Sequence, residues 1–296
     1  MNTPTTFLRT LLLTLLIHMP SQAALISDFM EFSLREQPGG SVLLPGRLYT
    51  PPEASSGARP LILFLHGSGA AGTDNVSQLN VNIDNLLAEA KRRGAFLYAP
   101  QTATTWAARS VTDQVMAMID RSKVEFPIVS SQIYITGISM GGGGAWNMLN
   151  RYGETFAAGI PIAGVGPGTD FNAANLVDEP IWAFHAKDDP QVPVSFSRNR
   201  VNGILTAASQ TAITFNNDPV DLYYGSPTLD LQYSEFGTGG HPIWNGIYNT
   251  PAVYDWMFAR TSAIPEPNSF CYVVAAIFLK LTMRRRLTFA CKGQSA

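Results

Sequence analysis

The chain has 296 residues, a hydrophobic content of 46% and a formal net charge of -2 at pH 7, which is the composition of a globular protein. This length allows one large hydrophobic core in a single α/β domain, and the near-neutral charge argues against nucleic acid as a partner. The two cysteines, Cys271 and Cys291, both lie near the C-terminus, so we expect no disulfide in the main domain.

The N-terminal residues 1–23 have the layout of a secretory signal peptide. Arg9 precedes an apolar run at 11–17, and Ser21 and Ala23 supply the small residues of a cleavage site. The run is too short to cross a membrane comfortably, since a spanning helix needs about 20 apolar residues. We therefore expect this segment to be removed on export, with an uncleaved anchor or a first helix of the fold as the alternatives.

Between residues 24 and 262 the hydrophobic pattern predicts alternating strands and helices. Alternating apolar residues at 28–50 predict antiparallel edge strands. Further strands are expected at 61–65, 95–100, 133–136, 157–163, 181–185 and 229–236, and helices at 81–90, 111–119, 145–149 and 253–257. The fold class is therefore α/β, with a mostly parallel central sheet and helices on both faces.

A G-x-S-x-G motif lies at the carboxyl end of one predicted strand, which is where ligands bind in such sheets. The motif occupies residues 137–141, directly before a predicted helix. Its glycines permit the sharp turn that lifts a nucleophile clear of the sheet, which makes Ser139 the candidate nucleophile. A glycine-rich turn that holds an incidental serine is the alternative.

A serine nucleophile needs a histidine base, and the chain has 4 histidines. His18 belongs to the predicted signal peptide, and His66 and His185 end predicted strands. His241 follows a glycine-rich stretch after the last predicted strand and is the candidate base. We expect His66 to be a structural, hydrogen-bonded side chain.

The base needs an orienting carboxylate, and two aspartates follow the strand that ends at His185. From position alone, Asp188 and Asp189 are both candidates. Either choice gives the chain order nucleophile, acid, base, which is the order of the α/β hydrolases.

Short motifs between residues 47 and 260 carry a resemblance to a known family. They are Leu65-His66-Gly67-Ser68-Gly69, Gly72-Thr73-Asp74-Asn75, Ala99-Pro100-Gln101, Trp106, Thr136-Gly137-Ile138-Ser139-Met140-Gly141-Gly142, Pro180-Ile181-Trp182-Ala183-Phe184-His185, Asp189-Pro190, Val192-Pro193, Gly240-His241 and Val253-Tyr254-Asp255-Trp256-Met257. On these residues the chain resembles the α/β-hydrolase serine esterases related to polyhydroxybutyrate depolymerases and phospholipase/carboxylesterases, a group often labelled predicted peptidases. The resemblance implies the α/β-hydrolase fold.

The resemblance also implies roles for single residues. In that family the catalytic aspartate precedes Pro-x-Val-Pro, which selects Asp189 and leaves Asp188 as a spacer. The oxyanion would receive the backbone N–H groups of Ser68 and Met140. Alanine at 186 stands where the family has glycine, which is a departure from the family pattern.

Other residues at this edge bear on substrate and cofactor. Alanines at 70–71 replace a charged pair that relatives often carry, which leaves substrate contacts near the oxyanion loop open. Trp106 and Trp244 are candidates for lining an acyl or sugar pocket, with ordinary core packing as an equal alternative. The segment at 214–226 looks like an insertion that shapes specificity or is a surface excursion. The sequence carries no metal-ligand motif and no phosphate-binding glycine loop, so we expect no cofactor and no metal.

After residue 262 the composition changes to that of a sorting signal. Residues 265–267 read Pro-Glu-Pro, an apolar run follows at 270–279, and three arginines stand at 284–286. This resembles a PEP-CTERM signal of exported bacterial proteins, which an exosortase processes. The segment at 263–296 would then anchor the chain in the membrane before processing, with the arginines on the cytoplasmic side. Lys280 interrupts the run, so a frayed amphipathic tail is the alternative.

The sequence therefore predicts a secreted serine hydrolase with residues 24–262 as its catalytic domain. It would cleave small or polymeric carboxylic esters through Ser139, Asp189, His241 and an acyl-enzyme intermediate. It would act on the periplasmic side of the inner membrane, then at the cell surface or outside the cell. Its expected partners are the ester substrate and an exosortase-like processing enzyme. A serine peptidase of the same fold and a non-catalytic surface or carbohydrate-binding protein are the alternatives.

Overall fold

A computed structural model describes residues 26–80, 83–166 and 168–263 of the chain. The predicted signal peptide at 1–23 and the predicted sorting motifs after residue 263 lie outside these residues, together with both cysteines. None of the helices within the described ranges combines the length and the apolar character that a membrane span requires.

Strands and helices alternate along the described chain. The strands are β1 (Met30–Glu31), β2 (Leu34–Arg35), β3 (Val42–Leu44), β4 (Gly46–Tyr49), β5 (Arg59–Leu65), β6 (Phe96–Pro100), β7 (Ile128–Ile138), β8 (Ala158–Ile162), β9 (Ile181–Ala186), β10 (Leu222–Gly225) and β11 (Leu231–Phe236). The helices are α1 (Ile83–Arg93), α2 (Arg109–Glu125), α3 (Met140–Tyr152), α4 (Ser195–Ala207), α5 (Trp244–Tyr248) and α6 (Pro251–Phe258).

Most of these strands belong to a single sheet. Its order is β1-β4-β6-β5-β7-β8-β9-β11-β10. Neighbours from β6 to β11 are parallel, whereas β1, β4 and β10 pair antiparallel at the two ends of the sheet. Strands β2 and β3 pair with each other in a separate hairpin. The prediction of a mostly parallel sheet with antiparallel edge strands is confirmed.

The apolar run in β5 shows why this sheet is covered on both faces. Successive side chains of a strand point to opposite faces, and all five residues of the run are 0% exposed. Leu61, Leu63 and Leu65 pack with residues of α2, α3 and α4, whereas Ile62 and Phe64 pack with residues of α1, α5 and α6. A strand buried on both faces needs apolar residues at every position. The predicted helices on both faces are therefore confirmed.

The segment at 214–226 contains β10, which extends the sheet at one edge. The loop before β10 is tied to the loop after β9 by Lys187, whose ammonium donates to Asn216 Oδ1 at 3.0 Å and to Asp218 O at 2.8 Å. The predicted insertion is thus an edge hairpin that is hydrogen-bonded to the stretch carrying the candidate acid.

Candidate active site

Ser139 lies in the turn between β7 and α3, at the carboxyl edge of the sheet. Its backbone has φ 53° and ψ -115°, a combination that residues other than glycine rarely adopt. Hydrogen bonds hold the turn on both sides: Ser139 N donates to Ile162 O at 2.9 Å, and Val165 N donates to Ser139 O at 3.2 Å. The surrounding backbone therefore maintains a strained conformation at the candidate nucleophile.

The glycines at 141–144 allow α3 to start directly against the sheet. A Cβ atom built on Gly141 would lie 1.9 Å from Leu65 O, and one built on Gly144 would lie 2.5 Å from Trp106 Cβ. Real Cβ atoms do not approach other heavy atoms so closely, so only glycine fits this packing. The close approach brings the N-terminus of α3 beneath Ser139.

The structure brings the three candidate triad residues together. Ser139 Oγ lies 2.8 Å from His241 Nε2, and His241 Nδ1 lies 2.6 Å from Asp189 Oδ2. A carboxylate only accepts hydrogen bonds, so Nδ1 carries the proton and Nε2 is free to accept the Ser139 hydroxyl. This is the arrangement in which a histidine can act as the base for a serine.

The Asp189 carboxylate is completely buried and fully hydrogen-bonded. Its side chain is 0% exposed, and its Oδ1 accepts the backbone N–H groups of Gln191 at 2.8 Å and Val192 at 2.9 Å. Burial acts to raise the pKa of Asp189, but these two N–H groups and His241 outweigh it and hold the pKa below its usual value. Asp189 is therefore the charged member of the pair.

The neighbouring Asp188 does not contact the imidazole. Its Oδ1 and Oδ2 accept the backbone N–H groups of Gly240 at 2.8 Å and Gly239 at 3.2 Å. Position in the sequence alone makes both aspartates candidates for the orienting acid, but only Asp189 contacts the ring of His241. Asp188, which the family spacing leaves as a spacer, instead hydrogen-bonds to the backbone that precedes His241.

The other two described histidines are structural. His66 donates from Nδ1 to Gly67 O at 2.8 Å and accepts the backbone N–H of Thr102 at 3.1 Å. His185 contacts Val192 O and Ser197 Oγ, and its Nε2 lies 3.3 Å from Asp189 Oδ2. Burial is the main reason why the pKa of each is lowered. Both imidazoles are therefore neutral near pH 7 and pack behind the site.

The two candidate oxyanion donors begin helical turns on either side of Ser139. Met140 is the first residue of α3, and Ser68 is the first residue of a 3₁₀ turn that follows Gly67. The first N–H groups of a helix have no acceptor within it. A Cβ atom built on Gly67 would lie 3.6 Å from Ser139 Cβ, so the loop that carries Ser68 runs next to the nucleophile.

A residue without a predicted role, Gln101, holds this loop in place. Its buried Nε2 donates to Ala70 O at 3.1 Å and to Asp74 Oδ1 at 2.8 Å, and its Oε1 accepts the backbone N–H of Asn75 at 2.6 Å. Hydrogen bonds from Ser77 are the largest of the contacts that hold the pKa of Asp74 well below its usual range. The signal in the sequence was the polar side chain that directly follows the apolar strand β6.

Comparisons with known proteins show which families and structures the chain is similar to. Residues 89–215 match the dienelactone hydrolase family, a span that includes Ser139 and Asp189 and ends before His241. XynS20E of Neocallimastix patriciarum, a bifunctional acetylxylan esterase/xylanase, is 28% identical over 156 residues, which are 51% of this chain and 21% of that protein.

Solved structures extend the likeness beyond the matched span. The crystal structure of a thermostable esterase superposes with a TM-score of 0.65 at 28% identity, over 80% of this chain and 64% of that chain. The fold is that of the α/β hydrolases. FphF, a fluorophosphonate-binding serine hydrolase of Staphylococcus aureus, shares this fold with a TM-score of 0.54 at 14% identity, over 77% of this chain and 98% of that chain. The chain thus spans about a fifth of XynS20E and just under two thirds of the thermostable esterase.

In this hydrolase fold, a cavity of about 260 Å³ opens beside Ser139. Its walls are the loop at 67–70 on one side, and Gln191, Pro242 and Trp244 on the other. The ring of Trp244 stands edge-to-face with His241, with 5.1 Å between the ring centroids. Trp244 therefore belongs to the wall of the cavity, which is one of the two alternatives left open for it, and it begins α5 rather than lying in a loop.

Trp106 does not line the cavity, so the expectation that it contacts substrate is corrected. Its side chain is 0% exposed, and its Nε1 donates to His66 O at 3.0 Å. The ring stands edge-to-face with His66, with 5.0 Å between the ring centroids, and packs against Gly144. Trp106 is therefore a core residue, which was the alternative interpretation. Its Nε1 has a hydrogen-bond acceptor inside the protein, and its ring is packed there as well.

Among residues 26–80, 83–166 and 168–263, no group of three or more His, Cys, Asp or Glu side chains could hold a metal ion. The expectation that no cofactor is needed stays a prediction.

Proposed function

We propose that this chain is a serine hydrolase that cleaves carboxylic esters, with Ser139 as nucleophile, His241 as base and Asp189 as the orienting acid. The observation that carries the proposal is the continuous hydrogen-bonded relay from Ser139 Oγ to His241 (2.8 Å) and on to Asp189 (2.6 Å). It lies at the carboxyl edge of the sheet, on a strained turn that exposes the serine to a cavity.

The geometry supports a two-step reaction. His241 Nε2 accepts the hydroxyl proton as Ser139 Oγ attacks the ester carbonyl, and Asp189 stabilises the imidazolium that forms. The imidazolium then gives its proton to the leaving alcohol, which leaves an acyl group on Ser139. Water attacks the acyl-enzyme with His241 again acting as the base, and the acid is released.

The negative oxygen of each tetrahedral intermediate would be bound by backbone N–H groups of Ser68 and Met140. Such groups cost no reorganisation during the reaction because the fold has already oriented them. The contribution of one such donor is typically about 3 kcal/mol of transition-state stabilisation. The hydrogen bonds of Gln101 to the loop at 70–75 would maintain the position of Ser68.

The cavity favours a short acyl group on the ester. Its volume of about 260 Å³ lies below the range of about 300 to 1,000 Å³ in which drug-sized ligands bind. The likeness to a thermostable esterase and to an acetylxylan esterase/xylanase supports esters over amides. We therefore rank acetyl and other short-chain esters, including those on polysaccharides, above feruloyl esters and hydroxyalkanoate oligomers. We also propose that the chain belongs to the subgroup of esterases related to polyhydroxybutyrate depolymerases.

An ester panel tests this function. The purified protein should release nitrophenol from acetyl and butyryl esters faster than from long-chain esters, and it should react with a fluorophosphonate probe. Ser139→Ala should lower kcat by about 10⁶-fold, the loss seen when a catalytic serine is removed. Ser56→Ala, which alters an exposed serine far from the site in sequence, is the matched control and should keep full activity.

Three results would each contradict the proposal. Undiminished turnover by Ser139→Ala would remove the assignment of the nucleophile. Faster cleavage of peptide amides than of matched esters would favour a serine peptidase. Absence of both turnover and probe labelling would favour a non-catalytic surface or carbohydrate-binding protein.

We infer from the sequence that the chain is exported and held at the outer side of the inner membrane until an exosortase-like enzyme processes it. Arg9 and the apolar run at 11–17 support export, and the motifs at 265–267 and 284–286 support anchoring. Fractionation of the full-length chain and of a chain ending at Ser262 tests this. The full-length precursor should pellet with membranes and the shorter chain should be soluble. Identical soluble partitioning without C-terminal cleavage would contradict the anchor.

A further inference from the structure

The loop that carries His241 has little stiffness of its own. Residues 237–241 read Gly-Thr-Gly-Gly-His, and glycine has more conformational freedom to lose than any other residue. Gly239 and Gly240 adopt φ values of +141° and +64°, which side-chain-bearing residues rarely take. The glycines permit this path of the chain but do not select it, so contacts from outside the loop must hold it.

For Gly239 and Gly240, those contacts come from the residue next to the orienting acid. The two oxygens of Asp188 accept the N–H groups of Gly240 at 2.8 Å and Gly239 at 3.2 Å. Successive backbone N–H groups that point to one side form a concavity suited to an anion. Hydrogen bonds to an ionised acceptor are roughly twice as strong as neutral ones. Asp188 therefore holds the backbone immediately before His241.

The two adjacent aspartates act on different parts of the same element. Asp189 binds the ring of His241 through Nδ1 at 2.6 Å, whereas Asp188 binds the backbone that leads to that ring. Both belong to the loop after β9, so ring and backbone are fixed relative to one rigid strand. If only the ring were bound, the glycine-rich stretch could relax and shift His241 relative to Ser139.

We infer that Asp188 is a positioning residue for His241, which acts by fixing the backbone of residues 239–240 and not by contact with substrate or imidazole. The expected loss of kcat rests on the proposed function, whereas the expected change in the position of His241 does not. Asp188 is exposed, so its hydrogen bonds contribute modestly to global stability. Their loss should therefore appear in the rate of the reaction more than in unfolding.

Asp188→Ala, Asp188→Asn and the control Asp120→Ala separate this role from a general effect of surface charge. Asp120 is an exposed carboxylate on α2, whose described partner is Lys123. We expect Asp188→Ala to lower kcat by about tenfold to a hundredfold with KM changed by less than about twofold, since small displacements of a catalytic group have effects of this size. Asp188→Asn keeps one acceptor oxygen and should recover part of the loss, and Asp120→Ala should behave as wild type.

Proton NMR gives a readout that does not depend on turnover. The His241 Nδ1 proton, which is hydrogen-bonded to Asp189, should give a downfield resonance in the wild-type protein. That resonance should broaden or vanish in Asp188→Ala while near-ultraviolet circular dichroism stays unchanged. If Asp188→Ala does not fold, Asp188→Asn decides by the same measurements.

The outcomes separate this inference from the proposed function. A sharp resonance in Asp188→Ala overturns the positioning role, whatever happens to kcat, and so does a kcat within twofold of wild type. A wild-type protein without esterase activity overturns the proposed function, and the resonance alone then decides the role of Asp188.

Discussion

The two halves of the candidate site are held in place by different physical means. The nucleophile half, residues 128–165, relies on backbone packing: the Cβ position of Gly141 lies 1.9 Å from Leu65 O, and backbone hydrogen bonds fix the turn at Ser139. The acid–base half, residues 181–241, relies on side chains: Asp188 and Asp189 each accept two backbone N–H groups. The nucleophile half is therefore fixed by close packing that leaves no room for a side chain, and the acid–base half is fixed by side-chain hydrogen bonds.

This difference determines how each half should respond to mutation. Close backbone packing cannot relax around an added atom, so a substitution there should affect folding as a whole. Each substitution in the acid–base half removes only some of its separate hydrogen bonds. The losses of kcat and stability there should therefore differ in size from one substitution to the next. Paired variants in the two halves should show that contrast.

The largest effect should come from Gly141→Ala. The added methyl group would meet the backbone of Leu65 and not a movable side chain, so we expect a loss of at least about 3 kcal/mol in the free energy of unfolding. Gly246→Ala in α5 is the matched control, since nothing lies within 4 Å of its Cβ position. That variant should be neutral or more stable by about 0.5 kcal/mol. Urea unfolding of both variants measures the difference, and similar stabilities would contradict the packing argument.

The next largest effect should come from Glu235→Ala in the acid–base half. Glu235 is 0% exposed, and its carboxylate binds Arg198 at 2.8 Å and Tyr233 at 2.7 Å, with Lys187 at 3.8 Å. Removing the carboxylate leaves two poorly solvated cations without their acid, which should cost about 3 kcal/mol in the free energy of unfolding.

An exposed ion pair provides the control for Glu235. Asp230 binds Arg260 at 2.6 Å, but the two side chains are 40% and 21% exposed. Asp230→Ala should therefore cost less than about 1 kcal/mol. Equal losses for the two variants, measured by urea unfolding, would show that burial of the Glu235 cluster has no energetic consequence.

Sequence reasoning was most successful where the signal is local. The run at 61–65 predicted a strand buried on both faces because every residue in it is apolar, and β5 is such a strand. The turn at Ser139 was predictable because the motif, the preceding strand and the following helix are adjacent in the chain. In each case the residues that determine the structure are neighbours.

The features that the sequence left open all depend on contacts between distant segments. The family spacing selects Asp189 over Asp188, but the hydrogen bonds of Asp188 to Gly239 and Gly240 depend on the fold. Trp106 follows a strand end, but its burial depends on the close approach of Gly144 from α3. The segment at 214–226 was recognised as an insertion, but its edge strand depends on pairing with β11 and on hydrogen bonds from Lys187.

A smaller, pH-dependent effect should come from Glu179, which lies against the end of the nucleophile helix. A Cβ atom built on Gly153 would lie 2.2 Å from Glu179 Oε1. Burial, with the charges of Asp178 and Glu154, raises the pKa of Glu179 to about 7. The folded protein therefore binds a proton that the unfolded chain releases at about pH 4.3. By linkage, the stabilisation is complete below that pH and is lost as the pH rises to about 7.

Glu179→Gln should remove this dependence. The variant should exceed wild type by about 1 to 2 kcal/mol in the free energy of unfolding at pH 8, allowing for the remaining water contact, and differ little at pH 4. Urea unfolding at both values measures it, with the exposed Glu36→Gln as control. A larger gain at pH 4 than at pH 8 would reverse the sign and contradict the burial of this carboxyl group.

The smallest effect should come from Asp221→Ala, which tests whether the acid–base half responds in graded steps. Asp221 accepts one N–H group of the same loop, that of Gly237 at 2.8 Å. Gly237 also packs against Pro219, since a Cβ atom built on it would lie 2.4 Å from that backbone. The loop keeps this contact when the carboxylate is removed. We therefore expect kcat to fall by less than about threefold, with a stability loss of about 0.5 to 1 kcal/mol.

Tyr223→Phe is the control for Asp221→Ala, because it removes the hydroxyl that donates to Asp221 at 3.0 Å and leaves the carboxylate in place. It should keep the wild-type kcat. Steady-state kinetics on one short-chain ester compare these two variants with Asp188→Ala. We expect the larger kcat loss in Asp188→Ala because Asp188 binds the two residues that directly precede His241. Asp221 binds only Gly237, which lies further from His241 along the chain. A kcat loss in Asp221→Ala as large as that in Asp188→Ala would mean that the loop moves as one unit. The effect of losing a hydrogen bond would then not depend on its distance from His241, which would contradict the graded response.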